Sequence, residues 1–318
     1  MIQIRCLFST LTLFAVLSPA FAQTRDSFLQ PAGPIADAQR TELLQILGWT
    51  MIAIIPVFLL VPLILWRYRY GNTSARYTPE WDRSRMLEVL MWGVPVIIVC
   101  ILSAQLVRTT HDLDPYRPIA SDTPELRVQV IGLDWKWLFI YPDHNIATVN
   151  ALTIPVDTPV AFELTTDTVM QSFLISSLAG QIYTMPGMQT QLHVIATETG
   201  TFQGENTQFN GIGFTDQKFD TTVLPNSDFS AWIAQVQAAD LSLTEERYAT
   251  LAAPSTGAQA KAALASTSGP DGVVYFASVP DGMFESVLHR YMHGNEIPAS
   301  AQPGTAAYQP NALEEPDQ

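Results

Sequence analysis

The chain has 318 residues, of which 47% are hydrophobic and only 14% charged, and its formal net charge is −14. That acidic balance excludes a nucleic-acid partner, because binding to a phosphate backbone needs clustered Lys and Arg. With only two cysteines, at positions 6 and 100, it has no material for a disulfide framework or a cysteine-based metal centre.

Residues 1–22 read as a signal peptide: Arg5 in a short basic start, an apolar core over 7–17, and the small-residue cleavage site Ala20-Phe21-Ala22. Residues 23–41 form a Pro/Ala/polar lead-in without periodicity, expected to be periplasmic. Two apolar runs follow, over residues 43–66 and 88–107. The first would be about 36 Å long as a helix, enough to cross a bilayer. Pro56, Pro62 and Pro95 interrupt them, which spanning helices tolerate when neighbouring groups satisfy the freed carbonyls. Residues 42–107 are therefore expected to be a transmembrane helical hairpin, with Cys100 a small buried hydrophobe. The loop over 67–86 carries Arg67, Arg69, Arg76, Arg83 and Arg85, five of the chain's sixteen basic residues. Excess positive charge stays cytoplasmic, which puts both ends of the mature chain outside, in the periplasm of a bacterium whose inner membrane holds the hairpin.

From residue 109 onward, 24 acidic residues face seven basic ones. An evenly solvated acidic surface and an attractor for a basic soluble protein both fit this. A Pro-punctuated linker over 111–124 leads into period-two alternation at Leu126-Arg127-Val128-Gln129-Val130. Further strands are expected at 137–141, 148–154, 159–165, 172–175, 189–196, 200–204 and 219–224. Many short strands with regular turn signals predict an all-β sandwich or barrel over 125–225. Beyond Pro225 the period changes. Phe229, Trp232, Ile233 and Val236 lie on one helical face, and Ser242 and Glu245 have capping-box spacing before a second helix with Tyr248 and Leu251 inward. Residues 255–270 look loose, residues 283–292 should form a last helix closing a helical region over 226–293, and the tail over 294–318 looks disordered.

Three groups invite a metal. His193 sits in a strand pattern and is expected as a hydrogen-bonded structural residue. His289 and His293 are four apart on one face of a predicted helix and could share a metal, but they have no third ligand nearby. Met185 and Met188 flank Pro186-Gly187 and read as a packed turn.

The order of signal peptide, two spanning runs, Asp134-Trp135-Lys136-Trp137 within D-W-K-W-L-F-I-Y-P, and then V-M-Q-S-F with M-P-G-M-Q-T resembles subunit II of the haem–copper terminal oxidases, in its quinol-oxidising branch. The likeness runs over about residues 41–293, through W-I-A-Q-V after the β segment and Y-F-A-S-V with F-E-S-V-L near the end. The resemblance implies a cupredoxin-like sandwich behind a two-helix hairpin. In the cytochrome c-oxidising branch that sandwich carries a dinuclear copper centre. Its ligand positions correspond here to Gln171, Asn206, Gln208 (the carbonyl donor), Asn210, Phe214 and Gln217. Amides and a phenyl ring cannot replace bridging thiolates, so the expectation is a copper-free fold with no cofactor and no catalytic centre of its own. Haems and copper are then expected in a partner subunit I, with further subunits III and IV, and ubiquinol as the complex's substrate. The resemblance also implies that Glu88, at the cytoplasmic start of the second run, lies at the mouth of a proton-entry path. The bland reading of Glu88 is an edge carboxylate reaching toward water. Trp135 and Trp137 would form an aromatic cluster that docks the β domain on its partner or, in the copper branch, lies on the electron route. Two other identities remain in play: a copper-binding subunit II of a cytochrome c oxidase, and a membrane-tethered cupredoxin-like binding protein.

Overall fold

The computed structural model describes residues 27–75, 78–292 and 297–309. The expected signal peptide, Arg76 and His293 lie outside them. The first helix, α1 (Pro34–Arg67), begins within the stretch expected to be an irregular lead-in; Pro34 occupies its first turn, where a missing N–H costs nothing. Helix α2 (Arg85–Asp112) starts at Ser84, whose hydroxyl accepts from the Leu87 N–H. Both are long and apolar enough to cross a membrane, and their apolar windows are exposed in the isolated chain. Cys100 is exposed on α2 rather than buried, because neither helix packs against the β domain along its apolar length.

The strands are β1 (Leu126–Leu133), β2 (Lys136–Tyr141), β3 (Ile146–Val149), β4 (Ala151–Pro155), β5 (Pro159–Thr166), β6 (Gln171–Ile175), β7 (Ala179–Thr184), β8 (Thr190–Ile195), β9 (Gly200–Asn206), β10 (Lys218–Leu224) and β11 (Val274–Phe276). They form a sandwich of a six-stranded sheet, β11-β3-β2-β1-β5-β8, and a five-stranded sheet, β4-β10-β9-β6-β7. The run over 148–154, expected as one strand, is two. Asn150 adopts φ +56, which Asn tolerates. Its side chain accepts from the Trp137 N–H while its own N–H donates to the Trp137 carbonyl. The chain switches sheets there. Strand β7 escaped the sequence reading because its Gly, Gln and alternating exposure dilute the apolar signal.

Helices α3 (Asn226–Gln237), α4 (Glu245–Ala252), α5 (Gly257–Ala263) and α6 (Met283–Tyr291) follow. The region over 226–293 is not purely helical: β11 pairs antiparallel with β3 and extends the first sheet. The stretch expected to be loose contains α5, which carries a true capping box between Thr256 and Gln259. The cap of α4 is Thr244, two residues later than expected. Residues 297–309, placed in the expected disordered tail, contain a 3-10 turn at Ala299–Ala301 with Ala301 buried, and Gly304 lies against the Ala252 backbone.

Two cores result. One fills the sandwich around Trp137, Phe139, Phe162, Phe173, Phe202 and Phe219. The other lies on the outer face of the six-stranded sheet, where Ile131, Leu138 and Ile140 meet Leu241, Tyr248, Leu251 and Phe284. Strand β2 is thus buried on both faces, so it shows no alternation.

Candidate functional site

The positions assigned to metal ligands by resemblance converge at one end of the five-stranded sheet. Gln171 opens β6 and Asn206 closes β9, and the β6–β9 register pairs Phe173 with Asn206. The loop over 207–217 returns to β10 and is closed by the Asn206 N–H donating to the Gln217 carbonyl at 3.1 Å. The side chains then hydrogen-bond to one another. Gln217 Nε2 donates to Gln171 Oε1 at 2.6 Å and to the Leu133 carbonyl at 3.2 Å. Gln217 Oε1 accepts from Asn206 Nδ2 at 3.0 Å and from Asn210 Nδ2 at 2.7 Å. Asn206 Oδ1 accepts the N–H groups of Ser172 and Gln208, each at 2.9 Å. Gln171 Nε2 reaches the Leu133 carbonyl and Thr168 Oγ1. Gln171, Asn206 and Gln217 are buried. Phe214 instead turns its ring to Phe209, with centroids 5.8 Å apart.

This donor set does not fit a thiolate-bridged copper centre. Four carboxamides are neutral, hard and already engaged with one another, where such copper requires soft sulfur and imidazole. Among the described residues there is also no group of three or more His, Cys, Asp or Glu arranged to hold a metal.

The aromatic pair divides. Trp137 has no exposed surface; its ring meets Phe173 edge-on at 5.2 Å and Phe219 at 6.1 Å. It therefore cannot dock a partner, and the expected two-residue cluster reduces to Trp135. Trp135 is half-buried, donates from Nε1 to the Asn210 carbonyl at 3.2 Å, and lies flat on the loop at Gly213. A Cβ there would fall 2.2 Å from the indole, so only glycine permits the approach. Beside it the loop tip presents Phe209 at 72% and Ile212 at 97% exposure, with Val169, Met170 and Met188 also exposed. The β-sandwich thus ends in an apolar rim around the amide cluster.

Sequence reasoning missed the strongest polar cluster. Asp167, in the β5–β6 turn, accepts from Arg290 Nη1 on both carboxylate oxygens at 2.5 and 2.6 Å. It also accepts from Tyr248 at 2.6 Å and from Tyr291 at 2.7 Å. Burial and then the Asp167 charge hold both tyrosine hydroxyls above their ordinary range. Burial pulls the Arg290 guanidinium down, and the carboxylate more than reverses that. The hub joins α4 and α6 to the rim, since Gly187 of the M-P-G-M turn (φ +70) abuts the Tyr291 carbonyl. Its members are up to 124 residues apart, and no local spacing announces them.

Lys136 is fully buried and donates from Nζ to the carbonyls of Asp134, Ala253 and Ser255. Burial lowers its pKa to about 8, opposed by the Asp134 charge. Burial likewise pushes the Asp134 carboxyl up, against a hydrogen bond with Thr168.

The remaining candidates take no part in the amide cluster. His193 Nδ1 meets the Pro115 carbonyl at 3.0 Å and Nε2 lies 3.4 Å from Glu125, tying the linker after α2 to β8. His289 Nδ1 is 3.0 Å from Met292 Sδ. Its expected partner on the same helical face, His293, lies outside the described residues. Met188 donates its N–H to the Met185 carbonyl in a tight turn. Glu88 lies in the first turn of α2, half-exposed and 3.2 Å from Arg83.

Comparison with known proteins places these features together. The family model described as cytochrome c oxidase subunit II, periplasmic domain, matches residues 144–224. The model described as the COX aromatic rich motif matches residues 262–295, which include β11, α6 and Arg290. Ubiquinol oxidase subunit 2 of Acetobacter aceti is 42% identical over 268 residues, 84% of this chain and 83% of that one. Cytochrome bo(3) ubiquinol oxidase subunit 2 of Pseudomonas putida is 40% identical over 257 residues, 81% of each chain. The protein of that name in Pseudomonas aeruginosa is 38% identical over 275 residues, 86% of this chain and 79% of that one.

Proposed function

This chain belongs to the ubiquinol oxidase subunit 2 family, and from that premise we propose that it works as a metal-free assembly subunit. It is a subunit of a quinol oxidase, anchored by two apolar helices and carrying an external cupredoxin-like domain. In the proposed complex, ubiquinol is oxidised and oxygen reduced to water on haems and copper held by subunit I, with subunits III and IV completing the assembly. The arginine-rich loop faces the cytoplasm and the β domain the periplasm of a bacterial inner membrane. One observation carries the reading: at the positions of copper ligands, amides hydrogen-bond to one another within an intact sandwich. A domain that has lost its ligand set but kept its fold is retained for what it holds together.

Trp135 and the exposed rim at Phe209 and Ile212 supply a docking surface for the partner. Their apolar exposure exceeds what an isolated loop tip needs and fits an interface. Glu88 supports proton entry to the oxygen-reducing site, consistent with its exposed carboxylate at the arginine-rich end of α2. The tagged full chain should co-purify with a haem-containing polytopic subunit and quinol-dependent oxygen uptake, and Phe209→Asp with Ile212→Asp should reduce the haem recovered. Stoichiometric copper on the purified chain, or no haem protein recovered with it, would refute the assembly reading. If Glu88→Ala leaves turnover and proton pumping unchanged, the proton role falls and the assembly role stands.

A further inference from the structure

The loop between α1 and α2 has a chemistry that the assembly role does not use. The two helices are clasped at one end, where Gln105 Nε2 donates to Glu42 at 2.5 Å and to Gln45 at 2.7 Å. From Gln105 back to Arg85, and from Glu42 or Gln45 forward to Arg67, each helix runs twenty to twenty-five residues. At 1.5 Å per residue both legs are about 30 to 38 Å, which matches a hydrocarbon core. The polar clasp thus marks one border of the membrane, and Arg67 and Arg85 stand at similar height on the other.

Arg67 lies in the last turn of α1, where the carbonyl end favours a cation. Arg69 places its guanidinium 5.5 Å over the Trp66 ring. Arg83 is committed to Glu88, whereas Arg67, Arg69 and Arg85 have no carboxylate within 4 Å among the described residues. The acids of the same loop, Glu80 and Asp82, form no ion pair with them there. Trp66, Tyr68, Tyr70 and Trp81, in or beside the same loop, are all more than half exposed. Immediately toward the membrane interior, Leu65, Met86, Val89 and Leu90 are exposed as well. Cations without a carboxylate partner among the described residues, exposed aromatics in the same loop and adjoining exposed apolar side chains on both helices suit one kind of molecule, an anionic amphiphile.

We propose that this end of the hairpin is a binding site for an anionic phospholipid, with Arg67, Arg69 and Arg85 on the phosphate headgroup and the helix flanks against its acyl chains. The proposal rests on the two helices spanning the membrane, and its test separates that premise from the site itself. The full chain in detergent would be titrated with phosphatidylglycerol or phosphatidylcholine and read by native mass spectrometry. Flotation with phosphatidylcholine vesicles would check insertion of every variant.

The wild-type chain should retain phosphatidylglycerol over phosphatidylcholine by about ten-fold or more, and each Arg→Gln change at 67, 69 or 85 should lower that preference about five-fold. Arg67→Lys with Arg69→Lys should keep it, and millimolar inorganic phosphate should not displace the lipid. Equal retention of the two lipids, or an unchanged preference in the triple Gln variant, overturns the proposal. So does displacement by inorganic phosphate, which would mark a small-anion site. Failure of the wild-type chain to float would instead remove the membrane premise.

Discussion

Replacing Asp167 with alanine should destabilise the full chain by about 3–5 kcal/mol, because it leaves the Arg290 guanidinium buried without its counter-charge. The magnitude follows from the geometry. The carboxylate side chain is 1% exposed and that of Arg290 13%, so water cannot take over the lost interaction. Two tyrosine hydroxyls lose their acceptor in the same change. Domains are stable by only about 5–15 kcal/mol, so the loss is a large share of the total. The perturbation is also directional: the hub fastens α4 and α6 to the sandwich and has no part in the strand pairing, so the C-terminal segment should open first. Urea unfolding of the chain in detergent would read the free energy, and limited proteolysis would show cleavage over residues 240–292 before the β core is cut. Asp167→Ala combined with Arg290→Met removes both charges and should recover part of the loss. A single-variant cost under about 1 kcal/mol, or a double variant worse than the sum of the singles, would show that the hub does not hold the segment as argued.

The amide cluster makes a parallel prediction. Gln217→Leu strands the buried amides of Gln171 and Asn206 at about 1–3 kcal/mol for each unsatisfied group, measurable by the same urea titration, and added copper should not restore the loss. Lys136 predicts a pH dependence. Its amine is held near pKa 8 when folded and returns to about 10.4 when unfolded, so between these values the unfolded chain binds more protons. Stability should therefore rise from pH 8 toward 10 and stay flat with respect to this group below 8, and Lys136→Met should abolish the rise. A flat wild-type profile would mean that the three carbonyls around Nζ keep it protonated. Trp137→Ala should cost about 3–5 kcal/mol in chain stability, whereas Trp135→Ala should act mainly on recovery of the haem-containing partner.

Much of the architecture was legible because it is local. The spans follow from uninterrupted apolar runs, and most strands from alternation or short apolar segments between Gly, Pro and Asn. The amides at 171, 206, 210 and 217 stand out once the resemblance supplies their register. What was not legible depends on long-range pairing. Residues 148–154 look like one strand because both halves are apolar; only their different sheet partners divide them at Asn150. Strand β11 has three residues, too short for a period, and exists because β3 offers it an edge. The chemistry at Asp167 was invisible for the same reason, with its partners lying 81 to 124 residues away.

The sequence by itself therefore determined the class of molecule: two membrane-length helices and an acidic β domain without a cysteine in it. These are properties of residue type and spacing, which no packing can alter. Only the tertiary structure decided that Trp137 is core and Trp135 rim, that the amides satisfy one another, and that the C-terminal segment is locked to the sandwich through a buried carboxylate. Burial and hydrogen-bond partnership are set by which surfaces meet, and that is decided when the second core closes over the outer face of the six-stranded sheet.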